Sequence, residues 1–152
     1  MILDDYKIIL SHLSVKITNE RKAPNKAVML ISIMDLIRLG YIKENRIYLD
    51  KAIEDSFRRN WSIFFPEVPL PNPWTPFWHL KNELFWHFKS LVNDAYLEAL
   101  VSPGQTLSVG KMREAILYAY LDDDLFDLMN KKKERDVLIE LLLETYVKNG
   151  KC

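Results

Sequence analysis

Hydrophobic positions recur at helical spacing along most of the chain. Tyr6, Ile9, Leu10 and Leu13 fall at i, i+3, i+4 and i+7, which predicts a short helix opening after Asp4 or Asp5. A polar, basic connector runs to Pro24. From Asn25 to Leu39 nearly every side is apolar, so this stretch predicts a central, buried helix, with Gly40 free to take the left-handed position after its end. Tyr41 to Leu49 alternates around Lys43-Glu44-Asn45-Arg46 and predicts a small hairpin. Asp50 is placed to cap a helix whose Ile53, Phe57, Trp61 and Phe64 face the core, with Pro66 ending it. Phe77–Leu80 and Leu84–Phe88 are aromatic runs around Lys81-Asn82-Glu83, predicting a second hairpin. After the turn-rich loop Ser102–Thr106, a helix is expected over 108–121 and a short one after Asp122-Asp123-Asp124. A last helix carries Val137, Leu138, Leu141, Leu142 and Thr145 on one stripe. The expectation is an α+β fold, mostly α-helical: a single compact domain over 1–152 with about six helices and two small β-hairpins. Asn149–Cys152 reads as a plain terminus or the start of a linker.

Composition narrows the classes. Apolar residues make up 49% and charged residues 28%, which fits one soluble globular domain of this length. Basic and acidic residues balance at 21 each, which argues against a non-specific nucleic-acid coat but leaves room for a local patch. Such a patch exists: Lys16, Arg21, Lys22 and Lys26 stand against the single acid Glu20 between Ser14 and Lys26. The lone cysteine, Cys152, excludes an internal disulfide and a Cys-based zinc site. With no apolar stretch of membrane-spanning length and no leader pattern, a cytoplasmic location is expected.

The segment Pro69–Phe88 stands out. It holds four of the seven prolines, three of the four tryptophans and two of the three histidines, and so reads as a rigid, pre-shaped recognition surface. His79 and His87 lie on opposite arms of the expected hairpin with Glu83 at its tip, but they lack the spacing of a zinc site. They read as aromatic-lined histidines bonded to backbone. No phosphate-binding glycine loop, nucleophile elbow or cysteine nucleophile is present. The three aspartates read as a helix cap. The expectation is therefore no metal, no cofactor and no catalytic residue. A binding site is easier to argue: Lys26 stands in the first turn of the apolar helix, where backbone donors and the helix dipole favour an anion, with Arg21 and Lys22 just upstream.

Arg21-Lys22-Ala23-Pro24-Asn25-Lys26, the apolar helix behind it, Pro71-Asn72-Pro73-Trp74-Thr75-Pro76-Phe77-Trp78-His79-Leu80 and Leu84-Phe85-Trp86 together resemble one family. It is the sulfur-binding domain of restriction endonucleases that depend on phosphorothioate-modified DNA, and the resemblance covers nearly the whole chain. It implies a small apolar cavity for the backbone sulfur built from Thr75, Pro76 and His79, beside the pair Asn25 and Lys26. The family more often carries His-Arg at the latter pair and Tyr at position 75; lysine keeps the charge but not the guanidinium fork.

The resemblance implies a non-enzymatic reader of phosphorothioate-modified double-stranded DNA, with a nuclease supplied by a fused domain or a separate subunit, since no His-Asn-His nuclease motif occurs in these residues. Arg21, Lys22, Asn72 and Gln105 are the candidates for contacts to DNA backbone and bases. The alternative is a helical protein–protein module gripping a partner with exposed Trp74 and Trp78. A structural or inhibitory subunit with a buried aromatic segment needs no surface site at all.

Overall fold

The computed structural model describes residues 2–99 and 108–148. The predicted central helix is α2, Asn25–Arg38, whose residues from Lys26 to Ile37 are buried except Asp35. It is apolar on every side because it is covered on every side: α3 (Lys51–Phe64), α4 (Trp74–His79) and α8 (Lys132–Leu142) all pack on it. Leu39 and Gly40 close it as expected. Gly40 takes φ +84°, its N–H donates to Ile37 O, and Tyr41 N–H donates to Leu36 O, the paired bonds of a left-handed helix stop. Asp50 caps α3, with Oδ1 accepting from Ile53 N–H at 3.1 Å. The opening helix α1 (Leu3–Ser11) lies against α8 and buries Tyr6 and Leu10.

Four local expectations are corrected. The basic connector is a hairpin, β1 (Ile17–Thr18) with β2 (Arg21–Lys22), turning through Asn19 and Glu20 at φ +51° and +65°. The stretch 41–49 does not pair with itself. Ile47 exchanges both backbone bonds with Ala119, and the Asn45 amide accepts from Leu121 N–H and donates to Leu121 O, so the segment lies along another strand. The run 108–121 is not one helix: α6 (Val109–Ala115) ends where Ile116 begins β4 (Ile116–Leu121). Its β-branched and aromatic content suits a strand once a partner exists. That partner is β3 (Trp86–Ser90), paired antiparallel with Trp86 opposite Leu121.

The fourth correction concerns Pro69–Phe88. In place of a hairpin it forms α4, a 3-10 turn at Leu80–Asn82, and then β3. Asn72 starts α4: its Oδ1 accepts from Trp74 N–H at 3.0 Å and its carbonyl from Thr75 N–H at 3.2 Å. Pro73 and Pro76 sit in the opening turn, where a missing N–H breaks no helical bond. The aromatics then point inward rather than forming a surface. Trp74, Phe77, Trp78 and Trp86 are buried, with Phe77 and Trp86 meeting edge to face at 5.2 Å.

With α5 (Asp94–Ala99) and α7 (Asp123–Met129), the described residues hold eight α-helices rather than six, α4 and α5 being the additions, and two small antiparallel two-stranded sheets. The fold is α+β and mostly helical, as expected. Its last turn, Leu143–Lys148, is π-helical. Among the described residues no helix is long and apolar enough to cross a membrane.

Candidate functional site

Three segments meet at the N-terminus of α2 around a cavity of about 400 Å³ with a mainly hydrocarbon lining. Ser14, Val15 and Lys16 form one wall and Ala23, Asn25 and Lys26 the second. Thr75, Pro76, His79 and Asn82 form the third. All five residues expected at a sulfur cavity therefore line a single hollow. The spacing 75, 76, 79 does this because the segment is helical: residues three and four apart share a face. Pro76 is buried and contributes carbon surface without an N–H; Thr75 and Asn25 are half-buried.

Lys26 differs from its expected state. It is only 7% exposed, and its ammonium donates to Ser14 O at 2.5 Å and to Glu83 Oε2 at 2.7 Å. The same Glu83 oxygen accepts from Ser14 N–H at 3.0 Å. A lysine in the first turn of a buried helix has little water, so its charge requires a partner of opposite sign. Glu83, expected at a hairpin tip, is that partner. Lys26 therefore meets the cavity as half of a compensated ion pair, and two of the ammonium's three donors are occupied. His79 has its pKa lowered, first by loss of solvent and then by the positive charges of Lys26 and Lys81. The residue nevertheless stays exposed at the cavity rim, and both effects favour its neutral ring.

The other candidates separate. Lys22 and Arg21 line an adjacent hollow of about 310 Å³ with Phe65 and Tyr146, sharing Lys16 and Ala23 with the cavity. The Lys22 ammonium lies 5.6 Å from the centre of the Tyr146 ring and donates to Ser11 O. Asn72 lines neither hollow and is committed to starting α4. Gln105 lies outside the described residues. Ser14, Val15, Ala23, Asn82 and Glu83 were not anticipated here, and Lys16 only as a member of the basic patch. The one signal for Glu83 was the need of a buried lysine for a carboxylate.

The wall at 14–16 is held from behind. Tyr146 Oη accepts from Leu13 N–H at 2.9 Å and donates to Leu10 O at 2.6 Å, and burial pushes its pKa up to about 12. His87 also departs from expectation: its Nε2 meets Asp122 Oδ1 at 2.7 Å rather than backbone. Asp122 makes no side-chain cap to α7. Instead the Tyr6 hydroxyl donates to Asp122 and Asp124, and Asn45 Nδ2 to Asp123, so the three carboxylates tie α1, β3 and the 45–47 segment together. Burial, with these two carboxylates, raises the Tyr6 pKa strongly. No group of three or more histidine, cysteine or carboxylate side chains is placed to hold a metal among the described residues. No family model and no curated protein matches the chain.

Proposed function

We propose that this chain is a reader of phosphorothioate-modified double-stranded DNA that takes the sulfur of one backbone linkage into the cavity at the start of α2. The observation that carries the reading is the meeting of Asn25 and Lys26 with Thr75, Pro76 and His79, two distant motifs, around one mainly hydrocarbon hollow.

The physics of discrimination follows from the lining. A non-bridging phosphate oxygen holds its water tightly and finds no N–H on Pro76 to replace it. Sulfur is larger, more polarisable and more weakly hydrated, and gains dispersion contacts with the proline ring and the β-carbons. Glu83 compensates Lys26, so the buried side of the cavity offers little bare positive charge to reward an ordinary phosphate, and the uncompensated cation Lys16 stands exposed on the outer wall. One remaining Lys26 donor and the first N–H groups of α2 suit an anionic linkage whose sulfur is buried and whose oxygen faces outward. Selectivity rests on rejecting ordinary phosphate as much as on attracting sulfur. The chain binds and orients in a cytoplasmic restriction system, while a fused or separate nuclease cuts.

The protein-interaction alternative loses its anchors, since Trp74 and Trp78 are 4% and 2% exposed. The test is a mobility-shift comparison at fixed salt between duplexes of one sequence: unmodified, or carrying a single phosphorothioate of either stereochemistry. One stereoisomer is expected to bind at least tenfold tighter than ordinary DNA, and Pro76→Gly to lower that ratio. Equal affinity for all three duplexes rejects the reading.

A further inference from the structure

The β1–β2 hairpin rises from the rim of the cavity, and the proposed sulfur capture leaves its tip unused. Its base is closed by Ala23 N–H donating to Lys16 O at 2.8 Å, and both of these residues line the cavity. Above that base, Ile17 is 65% exposed, and Thr18, Asn19, Glu20 and Arg21 are exposed as well. Lys16, Arg21 and Lys22 distribute three cations along this two-stranded ribbon.

The turn itself is unusual. Both central residues have positive φ, +51° at Asn19 and +65° at Glu20, the conformation of the two-residue hairpin turn that normally carries Asn-Gly. Asparagine fits the first place. A glutamate in the second is strained where glycine would not be, and its carboxylate projects at the very tip of a basic ribbon. Local folding gives no reason for an acid there.

We infer that this hairpin is a base-reading ribbon that enters the major groove beside the modified linkage, where Glu20 selects cytosine. The inference rests on the DNA reading above. A two-stranded ribbon fits the major groove. A carboxylate there is repelled by phosphates and by every acceptor on a base edge: guanine N7 and O6, thymine O4 and adenine N7. Only adenine N6 and cytosine N4 donate. The adenine donor lies between two acceptors, its own N7 and the paired thymine O4, whereas the cytosine donor has the paired guanine O6 on one side and a carbon on the other, so cytosine accepts a carboxylate with the least neighbouring repulsion. Lys16 and Arg21 hold the flanking phosphates and offset the repulsion of Glu20 from the DNA backbone.

The test uses a panel of duplexes that share the favoured phosphorothioate linkage and differ at single flanking base pairs. Binding is measured for the wild type, Glu20→Gln and Glu20→Gly. For the wild type, replacing the contacted C·G pair by T·A is expected to weaken binding about tenfold. Both variants are expected to flatten that preference while keeping the preference for sulfur over oxygen. Glu20→Gly should also raise the melting temperature, since glycine relieves the positive φ, so loss of reading is separated from loss of fold. A wild type with no preference for cytosine at any flanking position, or variants that keep that preference, overturns the hairpin's role and leaves the sulfur reading standing. Equal wild-type binding to modified and unmodified DNA overturns the sulfur reading itself, and the hairpin's role with it.

Discussion

Lys26 and Lys16 line the same cavity with the same charge, yet they are different kinds of residue. Lys26 is buried and tied to Ser14 and Glu83, whereas Lys16 is exposed at the base of the hairpin. A cation taken out of water must be neutralised where it stands, so Lys26 spends its charge on shaping the site. A cation left in water keeps its counterions, and releasing them to a polyanion is what makes attraction depend on salt. Proximity to a pocket therefore does not say which lysine attracts a ligand; burial does.

The largest effect should come from breaking the buried pair. Glu83→Gln leaves the Lys26 ammonium without a counter-charge and removes the carboxylate that holds Ser14 N–H. A loss of about 3–5 kcal/mol in unfolding free energy is expected in denaturant titration. Pairing it with Lys26→Met should recover most of that loss. If each single variant is within about 0.5 kcal/mol of wild type, the pair is screened like a surface contact and the contrast with Lys16 disappears.

An intermediate effect concerns salt. Lys16→Ala and Arg21→Ala are each expected to reduce the slope of log affinity against log salt by about 1. Lys26→Ala, assayed where it remains folded, should leave that slope unchanged. A slope that falls for Lys26→Ala and not for Lys16→Ala inverts the assignment.

The smallest effect is a pH dependence. The native His79 pKa is lowered, by loss of solvent first and by Lys26 and Lys81 next. The unfolded chain takes up its proton below about pH 6.5 while the native ring does not. Stability should therefore decline as pH drops from about 6.5 to the lowered native value, then stop changing on this account. His79→Gln should remove that decline. An unchanged profile would mean that the ring is solvated like any surface histidine.

Local chemistry made several parts of the molecule readable. The stop at Gly40 and the cap at Asp50 are decided within a few residues, and α2 is apolar on every face because nothing else could be buried so completely. Ile116–Leu121 was unreadable because its residues suit helix or strand, and β3, about thirty residues upstream, makes the choice. Lys16–Ala23 was missed as a hairpin because its strands are two residues long and its turn contains no glycine. Trp74 and Trp78 looked like a surface only while Pro69–Phe88 was read as extended; once Asn72 starts a helix, they turn inward. At the site, residues 75, 76 and 79 were named only through the resemblance; that they share one face was hidden while the segment was read as a hairpin arm, and it follows from α4. The Lys26–Glu83 pair was not legible, because its partners are 57 residues apart.

The bond from Leu13 N–H to Tyr146 Oη joins residues 133 positions apart, and its companion to Leu10 O spans 136. Contacts of such separation form late in folding, because the intervening chain must be ordered first. The wall at 14–16 is thus fixed only when two segments far apart in the chain have met. A nascent or nicked chain lacking Tyr146 keeps the apolar helix and the proline ring but loses the brace that sets the distance between them. The cavity takes its final width only after the helical turn that carries Tyr146 has docked.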